Sequence, residues 1–256
     1  MKDKATYVYC LVLADRRPSL ARRPRGLPRT GRLRLLDVDR SLWLVVSDAP
    51  LDRYGADVIN RRLSDLDWVS SLAVEHETVI ESFLGATALL PMKLFTLFSN
   101  DDRAVAQIIE ERRRIDAFMR RVSGRVEWGV RVVLDAGKAL AANAKAKPRA
   151  APTGKSYLTH KKARRDAASE LANRARAEVV ELFDRLSDEA ASARRRPARE
   201  LPVQGGPLLL DAAFLVPRAK SSSFRALAER RGRSLARGGY RVTVSGPWPP
   251  YSFIQD

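Results

Sequence analysis

The sequence predicts an α+β protein of two domains, a small N-terminal α/β unit and a C-terminal ferredoxin-like domain. Its 256 residues exceed the usual length of one domain. Short apolar runs rich in β-branched and aromatic residues alternate with stretches of helical spacing. In the second part of the chain these elements follow the order β-α-β … β-α-β, which is the order of a split βαβ fold. We therefore expect domains at 1–86 and 87–256.

The N-terminal domain is expected to begin with a strand at 5–14, ATYVYCLVLA. Cys10, the single cysteine, lies within this strand, is expected to be buried, and fits a reducing compartment. Prolines and glycines predict a loop over 15–31. Two strands should follow, GRLRLLDV and SLWLVVSD, joined by a turn at Asp39–Arg40. Apolar residues at spacings of three and four then predict helix over 51–85.

The second domain should start with a strand in ALLPMKLFTLF, residues 88–98, after Pro91. A helix follows from Ser99, where Asp102 three residues later indicates a capping box, to Gly124. A strand is expected at 125–135, and an Ala/Lys/Pro-rich connection leads to a long inserted helix at about 155–193.

A basic, proline-containing loop is expected at 194–207, after this long helix. The apolar run LLLDAAFLVP, residues 208–217, is typical of a buried strand. An amphipathic helix from Ser221 should end at two glycines, and YRVTV should form the last strand. A Pro/aromatic tail completes the chain at 245–256.

The charge balance favours an anionic partner, because the formal net charge is +17. Only ten of the 47 basic residues are lysines, and the densest basic clusters contain no aromatic side chain for stacking on bases. Nucleic acid is therefore not the favoured partner. No run approaches the ~18–20 apolar residues of a membrane-spanning helix, and the N-terminus has no small-residue cleavage site of a signal peptide.

Catalytic and cofactor motifs are not evident in the sequence. PTGKSY, residues 152–157, ends like a phosphate-binding loop, but Arg149 stands where the first glycine is required. His76 and His160 with one cysteine provide no ligand set at metal spacing, and each is expected at a surface or boundary position. The residues predict neither an enzyme nor a bound cofactor.

The tail SGPWPPYSF poses the remaining question. Pro247 should end the pairing of the last strand, Gly246 permits a turn, and the run through Pro249 and Pro250 should be stiff and polyproline-like. We expect three aromatic residues to fold back onto the protein, either as a structural clamp or as a partner-binding surface. These residues are Trp248, Tyr251 and Phe253.

This tail, together with LLDAAFLVP upstream, resembles the C-terminal signature of the gas vesicle protein L/F family. LLPMKLFTLFSNDDRA resembles the family's segment around a Pro-x-(Arg/Lys) core, here Pro91 and Lys93. VEWGVRVVLD resembles the family's next strand. TGKSYLTHKKARRDA, which contains Tyr157, resembles the start of its long helix, and the N-terminal YVYCLV also fits the family. One departure is the run from Lys93 to Thr96, where the family has an Arg-Phe-Gly-Thr-like run.

The resemblance implies a non-enzymatic accessory protein of gas vesicle assembly in the cytoplasm, with two α/β domains, the second a modified ferredoxin-like one. It implies binding to the hydrophobic main shell protein and to other accessory proteins early in vesicle formation, and, as a further possibility, a place in the vesicle wall. The alternative reading is a basic α/β nucleic-acid-binding protein, for which Trp128 would be the candidate stacking residue.

Overall fold

The computed structural model describes residues 4–21, 23–135, 137–138, 173–197 and 206–254. It is a mixed α/β structure with two antiparallel sheets. The chain divides into two compact units. Unit 1 comprises Met1–Val126 and Trp248–Asp256, so it contains both chain ends, and unit 2 comprises Glu127–Pro247.

The sheet of unit 1 is arranged around the first strand. That strand is almost wholly buried, because its run of β-branched and aromatic residues has neighbours on both sides. Leu11, for example, lies opposite Leu44 on one side and Leu90 on the other. The strand order is β2-β3-β1-β4, and β5 also pairs with β1. The strands are β1 (Lys4–Leu13), β2 (Arg34–Asp37), β3 (Leu42–Pro50), β4 (Ala88–Pro91) and β5 (Leu97–Phe98).

The helices of unit 1 follow the predicted periodicity. The longest begins where the Asp65 side chain accepts a hydrogen bond from the Trp68 amide, which is an ordinary N-cap. Its buried residues Leu72, His76, Val79 and Ile80 recur at spacings of three and four. The helices are α1 (Leu51–Tyr54), α2 (Ala56–Arg62), α3 (Leu66–Glu81), α4 (Asp101–Glu110) and α5 (Arg112–Val122).

Of two local predictions in unit 1, one is confirmed and the other is wrong in detail. The turn at Asp39–Arg40 is confirmed, since Asp39 Oδ1 accepts hydrogen bonds from the amides of Ser41 and Leu42. The single helix expected from Ser99 to Gly124 is instead α4 and α5, with Glu111 outside helical geometry between them. Asn100, not Ser99, provides the cap, because its side chain accepts from the Arg103 amide.

The described elements of unit 2 follow the order β-α-β-β-α-β, and its sheet has the order β7-β8-β6-β9. The helical side of its core contains Phe214, whose ring lies 5.4 Å from that of Phe224. Trp128 lies 6.3 Å from Phe224 and donates through Nε1 to Ser221 Oγ at 2.9 Å. The elements are β6 (Arg125–Leu134), α6 (173–187), β7 (Ser192–Arg195), β8 (Leu208–Pro217), α7 (Ser221–Ala236) and β9 (Tyr240–Trp248).

The domain boundary expected at residue 86 is wrong, because the chain divides at Val126 and Glu127. The segment 88–98 was expected to be one strand of the second domain. It forms β4 and β5, which both pair with β1 and therefore belong to unit 1. Unit 2 obtains its fourth strand from β7, which overlaps the expected basic loop at 194–207.

The long inserted helix expected at 155–193 is described only in part. Helix α6 ends at residue 187, and turns lead into β7, so the expected end near 193 is wrong. Residues 155–172 of that prediction lie outside the described residues. None of the helices in the described ranges is both long and apolar enough to cross a membrane.

Candidate partner-binding groove

A short loop of residues 92–96 connects β4 to β5 and is fixed at both ends to β1. The Met92 amide donates to the Tyr9 carbonyl at 2.9 Å, and the Val8 amide donates to the Thr96 carbonyl at 2.9 Å. Within the loop, the Thr96 amide and hydroxyl both donate to the Lys93 carbonyl, at 3.2 and 2.7 Å. Phe95 has a φ of 65°, a left-handed conformation that these bonds hold in place.

Two buried side chains, Tyr7 and His76, hold the same loop through a chain of hydrogen bonds, which we call the relay. The Phe95 amide donates to the Tyr7 hydroxyl at 3.2 Å, and this hydroxyl lies 2.8 Å from His76 Nδ1. His76 Nε2 lies 3.1 Å from the Met92 carbonyl, which only accepts. His76 is therefore the Nε2–H tautomer, and Tyr7 donates to Nδ1. Burial lowers the pKa of His76, which keeps the ring neutral as this relay requires.

The C-terminal segment, residues 248–254, returns to unit 1 after the cis peptide bond between Gly246 and Pro247. Pro249 and Pro250 are buried. Their carbonyls accept from the amides of Tyr251 (2.8 Å) and Phe253 (3.1 Å). Tyr251–Phe253 is thus a turn of 3₁₀ helix that directly follows the proline run.

Two contacts attach the C-terminal segment to the helices of unit 1. The Tyr251 hydroxyl donates to a carboxylate oxygen of Glu77 on α3. The Arg121 guanidinium on α5 donates to the Phe253 carbonyl, and the Phe253 ring is buried. Burial raises the pKa of Glu77 and that of the Tyr251 phenol, because it disfavours the anionic form of each group. Neither the polar pair nor the ring is solvated as a frayed chain end would be.

An open groove of about 570 Å³ lies between the 92–96 loop, the paired helices α4 and α5, and the C-terminal segment. We call it the unit 1 groove. Its apolar lining is Leu90, Pro91, Met92, Phe98, Ile108, Ile115, Phe118 and Ile254. Its polar lining is Lys93, Thr96, Gln107, Glu111, Arg114 and Tyr251. The groove is thus an apolar trough with charges at its rim, and its size is that of a site for several side chains.

A second cavity of about 230 Å³ adjoins the unit 1 groove. It shares Pro91, Met92, Lys93, Tyr251 and Ile254 with the groove. Its further lining includes His76 and Glu77, so the groove, the relay and the attached chain end are parts of one neighbourhood.

The structure brings together three of the residues selected from the sequence. Pro91, Lys93 and Tyr251 line the unit 1 groove, although about 160 positions separate the first from the last. Phe253 is buried in the same unit, whereas the Trp248 side chain is 37% exposed. Gly246 and Pro247 are the last residues of unit 2, and Tyr157 lies outside the described residues.

Sequence reasoning missed three side chains of this neighbourhood. His76 was expected at a surface or boundary but is buried, and its spacing of four from Leu72 and Ile80 was the available signal. Glu77 and Arg121 gave no signal, because an exposed charge and a charge that meets a distant chain end look the same in sequence. Within the described ranges, no group of three or more His, Cys, Asp or Glu residues could hold a metal ion.

Comparisons with known proteins agree along the whole chain. The family model for gas vesicle synthesis protein GvpL/GvpF matches residues 5–255. Gas vesicle protein L of Streptomyces sp. (strain CB03234) is 31% identical, over 98% of this chain and 93% of the relative. Gas vesicle protein F of the same strain is 25% identical, over 98% and 100% of the two chains.

A solved structure shows the same fold. The crystal structure of gas vesicle protein GvpF from Anabaena sp. PCC7120 superposes with a TM-score of 0.68. The superposition covers 99% of this chain and 97% of the GvpF chain, and the two sequences are 19% identical. The sequence relatives and the shared fold agree with the resemblance noted in the tail and the strands, and the chain belongs to the gas vesicle synthesis protein GvpL/GvpF family.

Proposed function

We propose that the protein is a non-enzymatic accessory factor of gas vesicle assembly in the cytoplasm, which binds the main shell protein and other accessory proteins early in vesicle formation. The observation that supports this most is the unit 1 groove, an apolar trough in a member of a gas vesicle protein family. A groove of this kind can shield the apolar surface of a partner from water.

The charge of the chain suits the same role. At a net charge of +17, copies of the protein repel one another, so an apolar partner held in the groove is carried on a particle that resists association. Lys93 and Arg114 lie at the groove's rim and Glu111 lies with them, which allows a partner with polar groups beside its apolar ones. We assign the C-terminal segment as the clamp that completes the groove wall through Tyr251, with Phe253 as its anchor.

We further infer that unit 2 is a ferredoxin-like domain. Its element order and its strand order β7-β8-β6-β9 support the assignment, with α6 as the first of its two crossover helices. In this arrangement α6 is itself one of the two helices of the split βαβ fold and not an insertion into it.

The nucleic-acid alternative loses its candidate stacking residue. Trp128 is 4% exposed and its ring lies near Phe224, so it offers no face to a base. RNA-binding sheets of this class need aromatic rings on an open face.

Blocking the unit 1 groove should reduce binding of the shell protein. Gln107→Trp places a large ring on α4 at the groove and removes only an exposed hydrogen bond to Glu111. In co-expression with the main shell protein, we expect this variant to recover at least ~tenfold less shell protein on affinity purification, since loss of a few apolar contacts costs more than 1.4 kcal/mol. The soluble fraction of the shell protein should fall in parallel.

Arg103→Trp is the matched control, because Arg103 is exposed one turn earlier on α4 and does not line the groove. It should recover as much shell protein as the unmodified chain. Equal recovery with both tryptophan variants would show that the shell protein binds elsewhere. A shell protein whose soluble fraction is the same with and without this chain would refute the shielding role.

A further inference from the structure

The last strand of unit 2 forms an edge of its sheet. Within the described residues, β9 pairs with β6 on one side and has no strand on the other. Its burial alternates from Tyr240 to Ser245: Tyr240 is buried, Val242 and Val244 are half-buried, and the other three residues are exposed. Pro247 closes one end, since proline has no N–H to donate. The regularly alternating edge covers the six residues from Tyr240 to Ser245, a length of ~20 Å.

A cavity of about 600 Å³ follows this edge and lies between β9 and α7. The side of α7 that lines it carries Ala228, Gly232 and Ala236, which are spaced by four residues and so lie on one face of the helix. A Cβ at Gly232 would lie 3.2 Å from the Val242 Cβ, so the helix approaches the strand closely there. Small side chains on α7 leave the space beside the edge open.

The charges around this cavity are net positive. Its two acids already have basic neighbours, because Asp135 pairs with Lys138 (3.4 Å) and Glu229 pairs with Arg225 (2.7 Å). Arg233 and Arg241 add exposed positive charge to the lining. A ligand that adds to the strand edge would therefore meet cations and a small apolar helix face together.

We propose that β9 and α7 form a docking site for an extended acidic segment of another protein, which adds to the sheet as a further strand. Its backbone pairs with the edge of β9, its apolar side chains face Ala228, Gly232 and Ala236, and its carboxylates meet Arg233 and Arg241. The charge selects this occupant over a second copy of the chain, since two copies of a +17 protein repel each other.

This site goes beyond the proposed function and is independent of it. It lies in unit 2, whereas the groove proposed for the shell protein lies in unit 1. Its test needs no gas vesicle component, so the two proposals succeed or fail separately.

The probe is a fluorescein-labelled hexapeptide of alternating Glu and Val, titrated with the full-length protein and followed by fluorescence anisotropy. Two further peptides carry N-methyl groups on the valine nitrogens or on the glutamate nitrogens. Because alternate N–H groups of a strand point to the same side, one of these two peptides should lose binding and the other should retain it. Arg233→Glu should weaken binding of the unmodified peptide about tenfold.

Arg230→Glu is the matched control, since Arg230 is exposed on α7 but does not line the cavity, and it should leave binding unchanged. No binding of the unmodified peptide, equal binding of the two N-methylated peptides, or equal weakening by the two arginine variants would overturn the proposal. A dimer in sedimentation velocity that the peptide dissociates would also overturn it, because the occupant would then be a second copy.

Discussion

Replacing Phe253 with alanine is expected to lower the free energy of unfolding by about 3–5 kcal/mol, the usual cost of truncating a buried phenylalanine. The ring is 1% exposed, only three positions from the chain end, and its carbonyl is held by Arg121. Truncation removes the ring from unit 1 and leaves a cavity that the attached segment cannot fill. Urea unfolding followed by far-UV circular dichroism measures the change.

Two alanine variants serve as comparisons for Phe253→Ala. Trp248 is 37% exposed, so its truncation should cost less than that of Phe253, although tryptophan is the larger residue. Ile109 is 56% exposed on α4, and its truncation should change stability by no more than about 0.5 kcal/mol. If Phe253→Ala is as stable as Ile109→Ala, the chain end is not part of the core of unit 1.

Replacing Tyr251 with phenylalanine is expected to cost about 1–3 kcal/mol at neutral pH, because it leaves the part-buried Glu77 carboxylate without its hydroxyl donor. The loss should shrink in acid. Burial raises the pKa of Glu77, so the folded state holds this proton more tightly than the unfolded state. The ionised carboxylate therefore costs stability above its folded pKa, and that cost disappears as the pH falls through the folded pKa to the unfolded value near 4.5.

Glu77→Gln separates charge from shape in the same pair. It keeps an oxygen that accepts from Tyr251 and removes the charge, so at neutral pH it should be at least as stable as the unmodified protein. The two variants are measured by urea unfolding at neutral pH and at about pH 4, near the usual pKa of glutamate. A loss for Tyr251→Phe that is the same at both pH values would contradict this account, as would an equal loss for Glu77→Gln at neutral pH.

Local structure could be read from the sequence where the signal lies within one element. The expected strand at 208–217 coincides with β8, and the helix from Ser221 with α7, because their apolar spacing and their flanking prolines and glycines are encoded in adjacent residues. The cap of α4 moved by one residue, from Ser99 to Asn100, since both side chains are good caps and only the backbone geometry selects one.

Strand pairing could not be read in the same way. β4 has four residues and pairs with β1, about 80 positions earlier, and not with β5, which follows it in the sequence. The residues of β7, Ser-Ala-Arg-Arg, carry no apolar alternation, because an edge strand needs little burial. Since β7 was missed, the prediction needed a fourth strand for the second domain and took it from β4 and β5.

In the candidate groove, too, the sequence identified single residues but not the contacts between them. Pro91, Lys93 and the tail were selected from the sequence because they match family motifs. Their meeting in one groove depends on the return of the chain end to unit 1, which no local pattern encodes. The relay through Tyr7 and His76 joins three distant segments, so it became visible only once the strands were placed.

The central claim is that the unit 1 groove holds the main shell protein, and hydrogen–deuterium exchange of the co-purified complex tests it most directly. Compared with the free chain, the complex should show slower exchange in the 92–96 loop, in α4 and α5, and in residues 251–254, with β9 unchanged. Slower exchange confined to other parts of the chain, or no difference between the complex and the free chain, would contradict the account.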